Sequence, residues 1–391
     1  MASYKELAPT KKGEPRIKIT VEKGYDEETG ERLRFFKTVR MKTMSDRAIN
    51  KAITEFEIEV DGMKNLEKLE NIKFGEFAHR WMDVYVRVDL TIKTRDFYKL
   101  HLDYGILEEL SHFKLSGIKT FHLVECFKKW KENRKASIVL GMHVALKSIF
   151  AKAVEWRVLK DNPMNGMKPP KVEKKQKELS FYDEDQLKHL FGVLENVYPK
   201  HAMQIKLAAL VGLRMAEVAG VRMGNIDFDK NTILIDKTLQ YDKERKKLIL
   251  GPTKNKKARQ VNVPDFFMKE LKNYAKVQLE LQVASGSAWN PLLDDKGEPI
   301  NFLFTREDGF PAHPQTASTN WGRIIKKYNL PRITFHDLRH SYASYMVSKN
   351  VNFKIIQQQL GHSDIRITID TYSHLTERDK EKASDLFNEI L

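Results

Sequence analysis

Apolar side chains alternate along residues 16–42. Ile17, Ile19 and Val21 point one way while Arg16, Lys18 and Thr20 point the other, the period of a strand with one buried face. A polar turn at residues 26–31 leads into a second run, Arg32 to Val39. Ser45-Asp46 is an N-cap signal for a helix reaching about Val60, with Ala48, Ala52 and Phe56 inward and Ile49 and Ile53 beside them. The pattern predicts a small sheet packed on one helix, its open face bearing Arg and Lys.

Past a polar joint at residues 61–70 the period becomes helical. Phe74, Phe77, Trp81, Val84 and Tyr85 recur at helical spacing. Thr91 or Thr94 caps a helix that includes Tyr98 and Leu102, and further helices are predicted at residues 120–133 and 136–156. Asn162-Pro163 and then Lys168-Pro169-Pro170-Lys171 interrupt this pattern, followed by Lys174, Lys175 and Lys177. Paired prolines block a helix, and the lysines favour water. A new helix starts after Phe181, capped by Ser180 or Asp183. The predicted plan is 1–65, 72–165, a basic linker at 166–179, and 180–391.

Composition narrows the partners. At 391 residues the chain has room for two or three domains, each with a core. Lys+Arg at 68 against Asp+Glu at 53 gives a formal charge of +15, which favours a polyanion. The lone cysteine, Cys126, excludes an intramolecular disulfide framework and a multi-cysteine zinc finger, and reads as a structural thiol. Residues 1–5 open no apolar signal region and no run of 18 apolar residues occurs. The expectation is a soluble cytoplasmic protein with no membrane partner.

The candidate chemistry lies in the C-terminal half. His336, Arg339 and His340 sit at i, i+3 and i+4 within Thr334-Phe335-His336-Asp337-Leu338-Arg339-His340, so a helix would place them on one face. His362 follows Leu360-Gly361, a helix-ending signal, and Tyr372 lies beyond it. Upstream, Gly212-Leu213-Arg214 precedes Glu217 by one turn, and residues 251–264 read as a β-hairpin containing Lys254, Lys256 and Lys257. Arginine forks onto phosphate oxygens, imidazoles move protons, and a phenol attacks.

Together and in this order, these motifs resemble the tyrosine recombinases of the phage and conjugative-transposon integrase type. That family carries Arg in a G-L-R-x-x-E element, Lys on a β-hairpin, H-x-x-R, L-G-H and a terminal Tyr. The resemblance implies a multidomain α+β chain. It would comprise a small N-terminal sheet-plus-helix domain that binds arm DNA, an all-helical core-binding domain, and a mainly helical catalytic domain with a small sheet. It further implies that Arg214 and Arg339 grip the phosphate, His362 hydrogen-bonds it, and His336 assists proton removal from Tyr372. Lys254 would protonate the departing 5′-hydroxyl, and Glu217 would orient Arg214. Candidate DNA contacts are Arg16, Lys18, Arg34, Lys93, Arg95, Lys174, Lys175, Lys177, Lys256 and Lys257.

Energy held in a phosphotyrosine needs no ATP, and the sequence shows neither a P-loop nor an acidic metal cage, so no cofactor or metal is expected. The implied partners are double-stranded attachment sites, further copies forming a tetramer on DNA, and DNA-bending or directionality proteins. His340 reads as packing or supporting the site, Arg222 as a solvent or phosphate contact, and Asp337 as a helix cap. Ala383, Leu386, Phe387, Ile390 and Leu391 share one face of a terminal helix, whose apolar stripe would dock on its own domain or, as the resemblance implies, on a neighbouring subunit. Three rivals stand beside this reading: a zinc hydrolase built on His336 and His340, a DNA-binding protein without chemistry, and a chromosome-dimer resolvase of identical chemistry. The zinc hydrolase lacks the glutamate of H-E-x-x-H.

Overall fold

The computed structural model describes residues 2–10, 14–25, 32–41, 43–67, 72–172, 180–253, 255 and 257–372. Lys174, Lys175, Lys177, Lys254, Lys256 and the terminal apolar stripe lie outside the described residues. The chain forms two compact units, Met1–Lys174 and Lys175–Leu391.

The first unit opens with β1 (Ala2–Leu7), β2 (Arg16–Tyr25) and β3 (Arg32–Arg40), an antiparallel sheet in that order, covered by α1 (Asp46–Glu67). Ile17, Ile19 and Val21 are fully buried against Ile49, Ala52, Phe56 and Val60. Ala48 and Ile53 pack at the margin of that core. Strand β1 has no counterpart among the predicted elements. Its sequence ASYKEL leaves its four central residues exposed, so it carries no apolar alternation to read. On the open face the Arg16 guanidinium donates to the Ala8 carbonyl, the Lys18 ammonium lies 4.4 Å from the Phe36 ring centre, and Arg34 pairs with Glu22 at 2.8 Å.

The described helices that follow in this unit are α2 (Phe74–Trp81), α3 (Arg87–Asp89), α4 (Ile92–His101), α5 (Leu107–Leu110), α6 (Thr120–Asn133) and α7 (Ala136–Glu155). Their core holds Phe74, Phe77, Trp81, Trp130 and Phe150. Thr91 caps α4 by accepting the Thr94 N–H. A wide π-turn, Met82–Val86, joins α2 to α3. It shifts the phase of the buried face by about a residue, so Val86 is buried while Val84, predicted inward, is exposed. Arg95 also departs from expectation. It is buried on α4 and its guanidinium bonds to Asp96, so it is not a surface phosphate contact, whereas Lys93 is exposed. Helix α7 is long and apolar enough to cross a membrane, but half of its apolar window is buried within the protein, which is the burial of a core helix.

The second unit begins with α8 (Glu184–Leu194), where Asp183 accepts the Gln186 N–H and the Gln186 side chain returns to the Asp183 N–H, a reciprocal cap. Then come α9 (Pro199–Val211), α10 (Met215–Ala219), β4 (Ile226–Asp227), β5 (Thr232–Ile235), β6 (Lys237–Asp242), β7 (Lys247–Pro252) and β8 (Arg259–Asn262). Among the described residues five helices follow: α11 (Asp265–Ser285), α12 (Gln315–Lys327), α13 (Asp337–Ser348), α14 (Phe353–Leu360) and α15 (Ile365–Tyr372). Helix α9 is central and faces two cores. Leu207 and Val211 face a core with Phe267 and Leu271, while Ile205 and Ala208 face another with Trp321 and Leu338.

The hairpin lies upstream of its predicted place. Strands β6 and β7 pair with each other, and β8 joins β4 and β5 in a separate sheet. The loop between β7 and β8 is closed by the Thr253 hydroxyl, which donates to the Lys257 carbonyl. The true turn is charged and lacks an Asn-Gly signal. Buried Asp242 fixes it by accepting the N–H groups of Glu244 and Arg245.

Candidate active site

Gly212 ends α9 at φ 74°. A side chain there would put its Cβ 2.7 Å from Leu360 and 2.8 Å from Tyr342, so the chain can turn only with glycine. The turn delivers Arg214 to the start of α10, where its N–H bonds to Glu217 Oε2 at 2.9 Å and its Nη1 to Oε1 at 2.8 Å. Glu217 is 1 % exposed. Arg259 on β8 binds the same carboxylate through Nη1 at 3.0 Å and Nη2 at 2.8 Å, and reaches the Gln359 carbonyl with Nε.

These arginines converge on the end of α14. Arg339 donates to Leu360 O at 2.8 Å and to Gly212 O at 2.7 Å. Arg214 donates to Leu360 O and Gly361 O, each at 3.3 Å. Three guanidiniums therefore satisfy the last carbonyls of one helix, which carry its negative dipole end. Gly361, at φ +67°, turns the chain out of α14, and the next residue is His362.

Helix α13 starts at Asp337 behind an uncapped His336. The Asp337 carboxylate does not cap the helix as expected but folds back to accept the N–H of Thr334, ahead of it, at 2.7 Å. Its first turns present His336, buried Arg339 and His340. Tyr372 on α15 is 1 % exposed, and its hydroxyl lies 2.6 Å from His340 Nδ1. The His336 ring stands edge-on to His340, centres 5.1 Å apart. His362 Nδ1 pairs with the Thr368 hydroxyl at 2.8 Å.

Proximity and burial shift the titrations. Burial alone would raise the Glu217 pKa, but the Arg259 hydrogen bonds and the Arg259 and Arg214 charges outweigh it and hold it at about 2. His362 is lowered to about 3 by burial and by Arg339 and Arg214. His336 has an exposed outer edge, yet desolvation of its inner side, with His340 and Arg339, pulls it to about 4. Burial also lowers His340 and raises Tyr372 to about 12. The resting site holds neutral imidazoles and a neutral phenol beside fixed cations, an arrangement suited to bind an anion and pass a proton.

Arg214, Glu217, Arg339, His362 and Tyr372 thus come together with His336. Lys254 falls outside the described residues, but neighbouring Asn255 donates to the Gly361 carbonyl at 3.2 Å, and Lys257 is exposed. Arg222 is no phosphate contact: it grips Asp236. Two partners carry no mark of their role in the sequence motifs. Arg259 could have been sought because a buried carboxylate beside Arg214 needs further donors. The contact of His340 with Tyr372 has no local signal.

Fold and site define a tyrosine site-specific recombinase. The chain belongs to the phage integrase family, whose model matches residues 180–379. The tyrosine recombinase XerC-like protein of Caldanaerobacter subterraneus subsp. tengcongensis is 25% identical over 97% of this chain and 97% of its own length. The ICEBs1 integrase of Bacillus subtilis is 22% identical over 96% of this chain and 98% of its own length. Among solved structures, the Tn1549 transposon integrase in complex with transposon right end DNA matches with a TM-score of 0.65, at 18% identity, over 81% of this chain and 100% of that one. A lambda integrase dimer bound to a COC′ core site matches at 0.53 and 16% identity, over 93% of each.

Proposed function

We propose that this recombinase is the integrase of a mobile element, acting in the cytoplasm of a bacterial host. In this reading Tyr372 attacks the scissile phosphate and forms a 3′-phosphotyrosine, while Lys254 protonates the 5′-oxygen that leaves. A second strand's 5′-hydroxyl then reverses the step at a new junction, so bond energy is kept. Arg214 and Arg339 hold the non-bridging oxygens, contributing about 3 to 4 kcal/mol each to the transition state, and His362 adds a further hydrogen bond. His336 stands at the mouth of the site beside them.

The observation that carries this is the meeting of Arg214, Arg339 and Tyr372 around the end of α14, reached from three separate helices. The N-terminal sheet, with Arg16, Lys18 and Arg34 on its open face, supports arm-DNA binding. Assembly as a tetramer on DNA, with DNA-bending or directionality proteins, belongs to the same reading. A chromosome-dimer resolvase is the alternative, favoured by the end-to-end match to the XerC-like relative.

Tyr372→Phe tests the chemistry. Mixed with a library of nicked duplexes, the wild-type chain should yield denaturation-resistant protein–DNA adducts, and the variant should bind the same DNA yet yield none. Adducts from the variant would move the nucleophile elsewhere. Sequencing the captured duplexes separates element attachment sites from a chromosomal resolution site.

A further inference from the structure

The Tyr372 hydroxyl is buried and lies 2.6 Å from His340 Nδ1, while His336 meets the far ring edge-on. The resemblance gives proton removal from Tyr372 to His336, yet the side chain that touches the hydroxyl is His340, with His336 against its ring. We propose that His340 is a catalytic residue, the base that takes the phenol proton directly from Tyr372, with His336 acting behind it. This role rests on the recombinase reading.

A phenol raised to about 12 keeps its proton at neutral pH, and His340, lowered from its ordinary value by burial, is neutral there. The hydroxyl therefore donates and Nδ1 accepts, leaving the ring proton on Nε2. Transfer in the resting site is uphill and the nucleophile stays neutral. As Oη bonds to phosphorus, the oxygen's basicity collapses and the proton passes to Nδ1. The O–H bond breaks, the N–H and O–P bonds form, and the P–O5′ bond breaks, with the departing 5′-oxygen protonated by the general acid of the proposed reaction. On resealing, the imidazolium returns the same proton to Tyr372 as it leaves phosphorus. Position favours His340 for this, because it already touches the reacting oxygen.

The charges around His340 set its pH range. Asp337 and Arg339 lie on its own helix with His336 at the helix start, Tyr372 faces it from α15, and His362 faces it from the turn after α14. Asp337 raises its pKa while burial and Arg339 lower it. The base therefore stays competent to more acid pH than an ordinary histidine.

The test is single-turnover cleavage by the full chain on a nicked duplex first shown to form a wild-type, Tyr372-dependent adduct. His340→Asn keeps a hydrogen-bond acceptor near the Nδ1 position without basicity, and His340→Phe removes both. Each should bind the duplex normally and cleave it about 10² to 10⁴ times more slowly. Their rates should climb about tenfold per pH unit towards alkaline pH, where the wild type is flat. If His340→Asn cleaves within a few-fold of wild type, or either variant keeps the wild-type pH profile, the proposal is overturned and His340 only packs. If the wild-type chain forms no adduct that Tyr372→Phe abolishes, the recombinase chemistry falls and takes this step with it.

Discussion

An ionised carboxylate as deeply buried as Glu217 is expensive to desolvate unless donors replace its water. Arg214 and Arg259 supply four hydrogen bonds between them, two from each, counting the Arg214 main chain. Glu217→Gln keeps the shape and removes the charge, leaving two guanidiniums facing each other, so a loss of roughly 3 to 5 kcal/mol in stability is expected by chemical denaturation. The folded pKa of about 2 lies below the ordinary 4.5. The carboxylate therefore contributes roughly 3 kcal/mol above pH 4.5 and loses it as pH falls towards 2. Denaturation at pH 7, 4 and 3 should show a smaller acid loss in the Gln variant, and parallel curves would remove Glu217 from this role.

At the scale of elements, the glycine that ends α14 matters more than its size implies. Gly361→Ala would meet a left-handed φ and place a Cβ 2.8 Å from Arg259 Cδ and Nε. Gly166→Ala meets the same kind of φ, +78°, in open space. The second should cost about 1 kcal/mol, the first clearly more, with a fall in cleavage as Arg259 gives way. Equal losses in urea titrations would show that the Arg259 contact carries no weight. Elements whose burial follows one simple period were legible in the sequence: Ile17, Ile19 and Val21 on β2, the limits of α6, and Asp183 as a cap. The rest was hidden for physical reasons. Strand β1 has no apolar face, the π-turn after Trp81 changes the period midway, and the β6–β7 turn is made by Asp242 and not by glycine. In the site, Arg214, His336, Arg339, His362 and Tyr372 were marked by local motifs, whereas Arg259 and the His340 contact arise from strands and helices distant in sequence. Buried Arg95 shows that a basic residue between aromatics is not evidence of exposure.

At the scale of the whole chain, a formal charge of +15 and basic side chains in both units imply that DNA binding releases many counterions. Log affinity should fall linearly with log salt, by roughly 0.9 per phosphate neutralised, and a slope of one or two contacts would contradict binding through several basic segments. The chain also ties the entry to its second unit to the helix of the site. Close to where it enters its second unit, the Tyr182 N–H donates to the Ser341 hydroxyl, which in turn donates to the Asp337 carbonyl on α13. The Tyr182 phenol is pinned to the Pro331 carbonyl at 2.6 Å. Near residue 180 the chain is therefore tied to the helix that holds Arg339 and His340 through the buried Ser341 hydroxyl and, at that helix's end, through the Glu184–Lys349 pair. Ser341→Ala should leave the site's chemistry in place while removing one of these ties, so the variant should cleave like the wild type yet unfold at lower denaturant.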